Sequence, residues 1–155
     1  MTVEIGQPAP EVALPTDGGG RVSLADLKGK AVVLYFYPKD DTSGCTKEAI
    51  AFKDSLADFE AAGAVIVGVS KDPVAKHDKF KAKYELPFTL ASDAEGDVCE
   101  RYGVWKEKSM YGKTYMGIER TTVLIDAAGI VRQVWPKVKV PGHADKVLEA
   151  VRALG

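Results

Sequence analysis

Apolar and polar positions follow two different periods along this chain. Residues 31–37, AVVLYFY, form an unbroken apolar run closed by Pro38, the pattern of a strand buried on both faces. After the polar loop KDDTSG the apolar positions Ala49, Phe52, Leu56 and Phe59 recur at three- and four-residue spacing. That spacing predicts a helix over 45–62, stopped by Gly63. Residues 64–69, AVIVGV, predict a second buried strand. Asp72-Pro73 then reads as a cap and a first helical position, and Val74, His77, Phe80 and Tyr84 form the stripe of the helix that follows. A short strand is expected at 88–90, then a brief helix capped by Asp93 and carrying Val98, Cys99 and Tyr102. Residues 105–119 are polar and glycine-containing, and read as loop or edge structure. Strands at 121–125 and 130–135 flank an Asp-Ala-Ala-Gly turn, and a helix over 143–154 closes the chain. Near the start, Gly18-Gly19-Gly20 reads as the flexible tip of an N-terminal β-hairpin.

Alternating strands and helices followed by a hairpin and a helix imply an α/β protein. The expected architecture is a thioredoxin-like fold: a central mixed β-sheet flanked by helices on both faces, with an N-terminal β-hairpin. At 155 residues, one domain over 1–155 is expected, with a core that needs no metal or disulfide to hold it. Lys plus Arg number 21 and Asp plus Glu 22, so the net charge of -1 offers no footprint for nucleic acid. No apolar stretch suits a membrane, and residues 1–15 lack the basic and apolar regions of a signal peptide, so a cytoplasmic location is expected. His77 and His143 stand apart, and no Cys/His cluster has metal-ligand spacing.

Two cysteines, Cys45 and Cys99, make no disulfide framework and belong to no CxxC pair. In open α/β sheets ligands bind beyond the carboxyl ends of the strands. Cys45 follows the loop after the first strong strand, which places it in the first turn of the 45–62 helix. The free N–H groups there carry partial positive charge and favour a thiolate, the nucleophilic form of sulfur. Thr42 and Ser43 are candidate caps, and the Thr42 hydroxyl is a donor within reach of the sulfur. Thr42-Ser43-Gly44-Cys45 is similar to a thioredoxin CxxC with its first cysteine replaced, which favours oxidation of a single thiol over disulfide exchange. Cys99, among apolar neighbours, reads as a small buried hydrophobe, with a resolving role as the weaker alternative. Asp40 and Asp41 read as a solvated turn, and His77 as a surface or packing residue. His143 reads as a cap or start of the last helix, Met110 and Met116 as pocket mouth or packing, and Trp105 and Trp135 as core or groove aromatics.

Residues 35–48, YFYPKDDTSGCTKE, resemble the active-site segment of the peroxiredoxins, with Pro38, Thr42 and Cys45 matching the pattern Pro-x-x-x-Thr/Ser-x-x-Cys. The extended segment, with Gly68-Val69-Ser70, Tyr102-Gly103-Val104-Trp105, residues 117–122 (GIERTT) and residues 137–144 (KVKVPGHA), resembles the bacterioferritin comigratory protein or peroxiredoxin Q branch over nearly the whole chain. The resemblance implies a thiol-dependent peroxidase of hydrogen peroxide and organic hydroperoxides, without metal or other cofactor. Cys45 would attack the O–O bond and become a sulfenic acid. Pro38 would shield the sulfur, Thr42 would hydrogen-bond sulfur and peroxide, and Arg120 would hold the thiolate and the polarised oxygens. Glu48 would orient Arg120, and the N–H groups of Gly44 and Cys45 would complete the cradle. Many members of the branch carry a second cysteine five residues after the first, where Ile50 stands here; others carry it near Phe80-Lys81, where Lys81 stands. The expected cycle therefore uses one cysteine, regenerated by thioredoxin, glutaredoxin or a small thiol acting on an exposed sulfur, in a monomer. Two other readings stay open: a peroxide sensor or redox-regulated binding module using Cys45, and a disulfide exchanger, which the missing second cysteine of the motif disfavours.

Overall fold

Every residue of the apolar run is buried, and the run becomes the central strand. The computed structural model describes residues 3–154. The chain forms β1 (Ala13–Pro15), β2 (Arg21–Ser23), β3 (Ala31–Phe36), α1 (Ser43–Asp54), α2 (Leu56–Ala61), β4 (Ala64–Ser70), α3 (Val74–Tyr84) and β5 (Thr89–Ser92). It continues through α4 (Val98–Arg101), β6 (Trp105–Met110), β7 (Lys113–Ile118), β8 (Thr121–Ile125), β9 (Val131–Trp135) and α5 (His143–Ala153). The main sheet has five strands in the order β5-β4-β3-β8-β9. Its β3–β4 and β4–β5 pairs are parallel, and its β3–β8 and β8–β9 pairs are antiparallel. This is the thioredoxin-like arrangement expected from the pattern, with the N-terminal hairpin β1–β2 beside it.

Strand alternation divides the core in two. Val33, Tyr35 and Tyr37 face one side and pack with Phe52 of α1, Phe59 of α2, Phe80 of α3 and Val147, Leu148 and Val151 of α5. Val32, Leu34 and Phe36 face the other, against Leu14, Val98 and Cys99 of α4, Val104 and Ile118. Gly68 is required where β4 passes Tyr35: a Cβ there would lie 2.8 Å from the tyrosine ring.

Four expectations change. The helix over 45–62 is two helices, because Ser55 leaves helical geometry and its N–H bonds back to the Phe52 carbonyl in a tightened turn. Asp72 does not cap α3; Pro73 occupies that position, and the Asp72 carboxylate turns inward to accept from Ser70 Oγ at 2.7 Å and the Asp40 N–H at 2.8 Å. Residues 105–119, read as loop or edge structure, form a regular antiparallel ribbon, β6–β7, paired from Trp105–Ile118 to Met110–Lys113. Its turn residues Tyr111 and Gly112 both have positive φ, 52° and 76°, as a primed two-residue turn requires. The ribbon is mostly exposed, so no alternation of apolar residues marked it. The glycine-rich tip is docked, since the Asp17 carboxylate accepts from the Leu90 N–H at 2.9 Å and Lys81 Nζ at 2.6 Å. Among the described residues no helix is long and apolar enough to cross a membrane.

Candidate active site

At the carboxyl end of β3 the chain leaves the sheet at Tyr37, crosses a loop and enters α1, whose third residue is Cys45. Cys45 is 1% exposed, so the sulfur is not openly accessible as the sequence reading required for direct thiol attack. The β3–β8 register pairs Phe36 with Thr121, which delivers the preceding residue, Arg120, to the same end of the sheet. Arg120 Nη2 donates to Cys45 Sγ at 3.2 Å, and Nη1 donates to Glu48 Oε1 at 2.7 Å. Glu48 lies three residues past Cys45 on one helix face, so a single guanidinium spans both. Gly44 leaves the room: a Cβ there would lie 3.2 Å from Arg120 Nη2.

The electrostatics follow from burial. Burial pushes Glu48 up to about 7 against the opposing charge and hydrogen bond of Arg120. Its second oxygen, Oε2, has no hydrogen-bond partner among the described residues. The Arg120 guanidinium loses solvation, but Glu48 and Cys45 more than offset this and hold it charged. A carboxyl whose folded value lies above its ordinary 4.5 favours the fold fully below 4.5 and gives up that contribution as pH rises through about 7. Glu48→Gln should therefore flatten the dependence of Tm on pH across about 4.5–7, read as Tm against pH for both proteins. An unchanged slope would show that Glu48 does not bind its proton this way.

The other anticipated residues fall as follows. Thr42 precedes α1, but its hydroxyl donates to the Lys39 carbonyl at 2.9 Å and makes no cap bond. The helix begins with the Thr46 N–H on the Thr42 carbonyl at 2.8 Å, and the earlier N–H groups receive no side-chain cap. They remain donors for an anion at the sulfur. Pro38 is half-buried at the start of the loop. Cys99 is fully buried in the cluster on the opposite face of the sheet from Cys45. Burial, reinforced by the Asp93 carboxylate, pushes its thiol well up. His143 begins α5 with Nε2 2.8 Å from Thr122 Oγ1, and burial pushes it down to about 4. Trp105 and Trp135 are half-buried, while Met110, Tyr111, Tyr115 and Met116 are exposed on the ribbon. Among the described residues no group of three or more His, Cys, Asp or Glu could hold a metal ion.

Asp40 departs from expectation. It is no solvated turn residue but is buried, accepting from Tyr37 Oη at 2.5 Å and lying 2.6 Å from His77 Nδ1. Only Asp41 is exposed. Lys108 of β6 gives no sign in the sequence pattern; burial and then Arg120 push its ammonium down, which places it in the field of the site. Both residues were hidden by ordinary polar sequence, though the apolar helix face carrying His77 was a usable sign that its partner would be buried too.

Comparison with known proteins agrees with this geometry. A model of the AhpC/TSA family matches residues 5–134. The chain is 52% identical over 152 residues to the peroxiredoxin Bcp of Bacillus subtilis, covering 98% of this chain and 97% of that one. A structure of the Xanthomonas campestris bacterioferritin comigratory protein superposes with a TM-score of 0.90 at 46% identity, covering 98% of this chain and 97% of the other. A mutant of Xylella fastidiosa PrxQ superposes with a TM-score of 0.93 at 39% identity, covering 99% and 98%. Sequence, fold and the cysteine–arginine pair thus converge, and the protein belongs to the AhpC/TSA family as a peroxiredoxin of the Bcp type.

Proposed function

We propose that the protein reduces hydrogen peroxide and organic hydroperoxides through a sulfenic acid on Cys45, in a one-cysteine cycle completed by an external thiol. The observation that carries this reading is the Arg120 guanidinium 3.2 Å from a sulfur at the start of a helix with no side-chain cap. The Xanthomonas campestris relative is described for alkyl peroxide reduction activity, which fits the same substrate class. The Cys45 thiolate attacks one peroxide oxygen as the O–O bond breaks. Sulfur is oxidised to the sulfenic level, and the other oxygen leaves as hydroxide or alkoxide and takes up a proton. Arg120 and the first-turn N–H groups face the charge that develops on these oxygens. Pro38 limits water at the sulfur. Thr42 would turn its hydroxyl from Lys39 to sulfur and peroxide when substrate binds.

The five-stranded sheet lies between Cys45 and Cys99, and this supports an external reductant. Two cysteines on opposite faces cannot approach to the roughly 7 Å that a disulfide needs without unfolding. Because Cys45 is buried, reduction of its sulfenic acid by thioredoxin or glutaredoxin needs the first turn of α1 to open, whereas a small thiol needs less. The test is the intact mass of the non-reduced protein after one equivalent of hydrogen peroxide, with a sulfenic trap in parallel. A gain of about 16 Da trapped at Cys45 is expected. A loss of about 2 Da without trapping would establish a Cys45–Cys99 disulfide and end the one-cysteine reading. No rapid change would end the peroxidase reading.

A further inference from the structure

The loop between β3 and Cys45 is tied to α3 and β5 by a polar network that the peroxide chemistry does not use. Asp40 Oδ1 accepts from Tyr37 Oη at 2.5 Å, and Asp40 Oδ2 lies 2.6 Å from His77 Nδ1. The other ring nitrogen, His77 Nε2, lies 2.9 Å from the Ala91 carbonyl of β5. The Asp40 N–H donates to Asp72, whose carboxylate also accepts from Ser70. Next in the chain, Asp41 adopts a positive φ of 60° and accepts from Lys83 Nζ at 2.8 Å and Tyr84 Oη at 2.7 Å. Thus α3 grips two consecutive loop residues, at His77 and, seven residues on, at Tyr84. Thr42 and the helix carrying Cys45 follow at once.

The partners dictate the protonation of His77. A main-chain carbonyl only accepts, so Nε2 must carry a proton. With Asp40 as a carboxylate that also accepts from Tyr37, the 2.6 Å contact assigns a second proton to Nδ1. A doubly protonated ring is an imidazolium, fully buried against Asp40. The charged and titratable groups facing His77 are Asp40 from the loop, Tyr37 just past β3 and Asp72 from the β4–α3 connection. Burial alone would push His77 down, but the hydrogen bond and charge of Asp40 outweigh it and hold His77 above its ordinary value. If the Nδ1 proton leaves, a lone pair faces the carboxylate, and the single Tyr37 hydroxyl proton cannot serve both acceptors. Tyr37 Oη is already within 3.4 Å of Nδ1, so the competition is direct.

We propose that Asp40 and His77 are positioning residues for peroxide reduction, a buried carboxylate–imidazolium clasp that holds the 38–42 loop on α3 and lets it go when His77 loses its proton. The inference rests on the peroxidase reading of Cys45. Neither residue touches sulfur or peroxide; the clasp acts through the placement of Pro38, Thr42 and the start of α1. Peroxide reduction therefore has an alkaline limit set by His77, separate from the titration of Glu48.

The experiment is the second-order rate of Cys45 oxidation by hydrogen peroxide across about pH 6–10, for wild type, Asp40→Asn, His77→Gln and Tyr37→Phe, with ring-nitrogen NMR of the histidines. Both nitrogens of His77 should be protonated at neutral pH, while His143, the only other histidine, should be neutral. The wild-type rate should fall at alkaline pH. Asp40→Asn and His77→Gln should lose that fall and run ~10–100-fold slower at neutral pH, the cost of a loop misplaced by about an ångström. Tyr37→Phe, which leaves the clasp charges in place, should move the alkaline fall upward, because the carboxylate then has one donor fewer and Nδ1 no substitute. A singly protonated His77 at neutral pH would overturn the clasp, as would variants that follow the wild-type profile. If the Asn and Gln variants do not fold, an unmoved fall in Tyr37→Phe overturns it. A wild-type protein that does not consume peroxide would instead show the peroxidase reading itself to be wrong.

Discussion

Cys45→Ser is expected to lower the rate of peroxide consumption by roughly 10⁴–10⁶-fold, the scale on which covalent enzymes lose turnover with their nucleophile. A serine hydroxyl does not ionise near neutral pH even beside a guanidinium, and oxygen does not climb the oxidation ladder that sulfur does. The substitution is close to isosteric at a fully packed site, and the new hydroxyl can still accept from Arg120, so the fold should survive. The measurement is peroxide removed with an external thiol system supplied. Cys99→Ala serves as the comparison and should keep turnover, since Cys99 lies across the sheet from the site. Full activity in Cys45→Ser would refute the assignment of the nucleophile.

The second large effect is at Arg120. Arg120→Met should slow Cys45 oxidation by about 10²–10³-fold, comparable to removing one preorganised donor from an anion-stabilising site. Two losses contribute: the donor 3.2 Å from the sulfur, and the charge facing the departing oxygen. Arg120→Lys should recover only part of the rate, because one ammonium cannot bridge Cys45 and Glu48 as the planar fork does. Stability will move separately. Without Arg120 the buried Glu48 loses its counter-charge, its carboxyl rises further and takes up a proton near neutral pH. Adding Glu48→Gln to Arg120→Met should therefore restore stability at alkaline pH without restoring the rate. Parallel recovery of rate and stability would mean that Arg120 acts only by holding the fold.

Much of the architecture was legible because local physics alone produces it. A short continuous apolar run rich in β-branched and aromatic residues and closed by Pro38 reads as an interior strand, and three- and four-residue spacing buries its stripe as a helix. The placement of Cys45 at a strand end and helix start followed from those two elements and one short loop. The departures are equally local in origin. The ribbon β6–β7 exposes most of its side chains, so its pairing left no hydrophobic trace. Asp72 and Thr42 carry side chains suited to capping, but each found a stronger use of its oxygen in the folded protein.

The sequence by itself therefore determined the five strands of the main sheet, the helical segments on its two faces and the sulfur at the mouth of the sheet. Tertiary structure decided what surrounds that sulfur. Arg120 lies 75 positions from Cys45, and only the β3–β8 register brings its guanidinium to 3.2 Å. The clasp between Asp40 and His77 exists only because α3 packs beside the loop. The separation of Cys45 from Cys99 depends on which face of the sheet each helix covers. Periodicity is set by neighbours a few bonds away and can be read along the chain. Charge pairing in a dry interior depends on distances across the fold, and these arise only when the sheet and its helices close together.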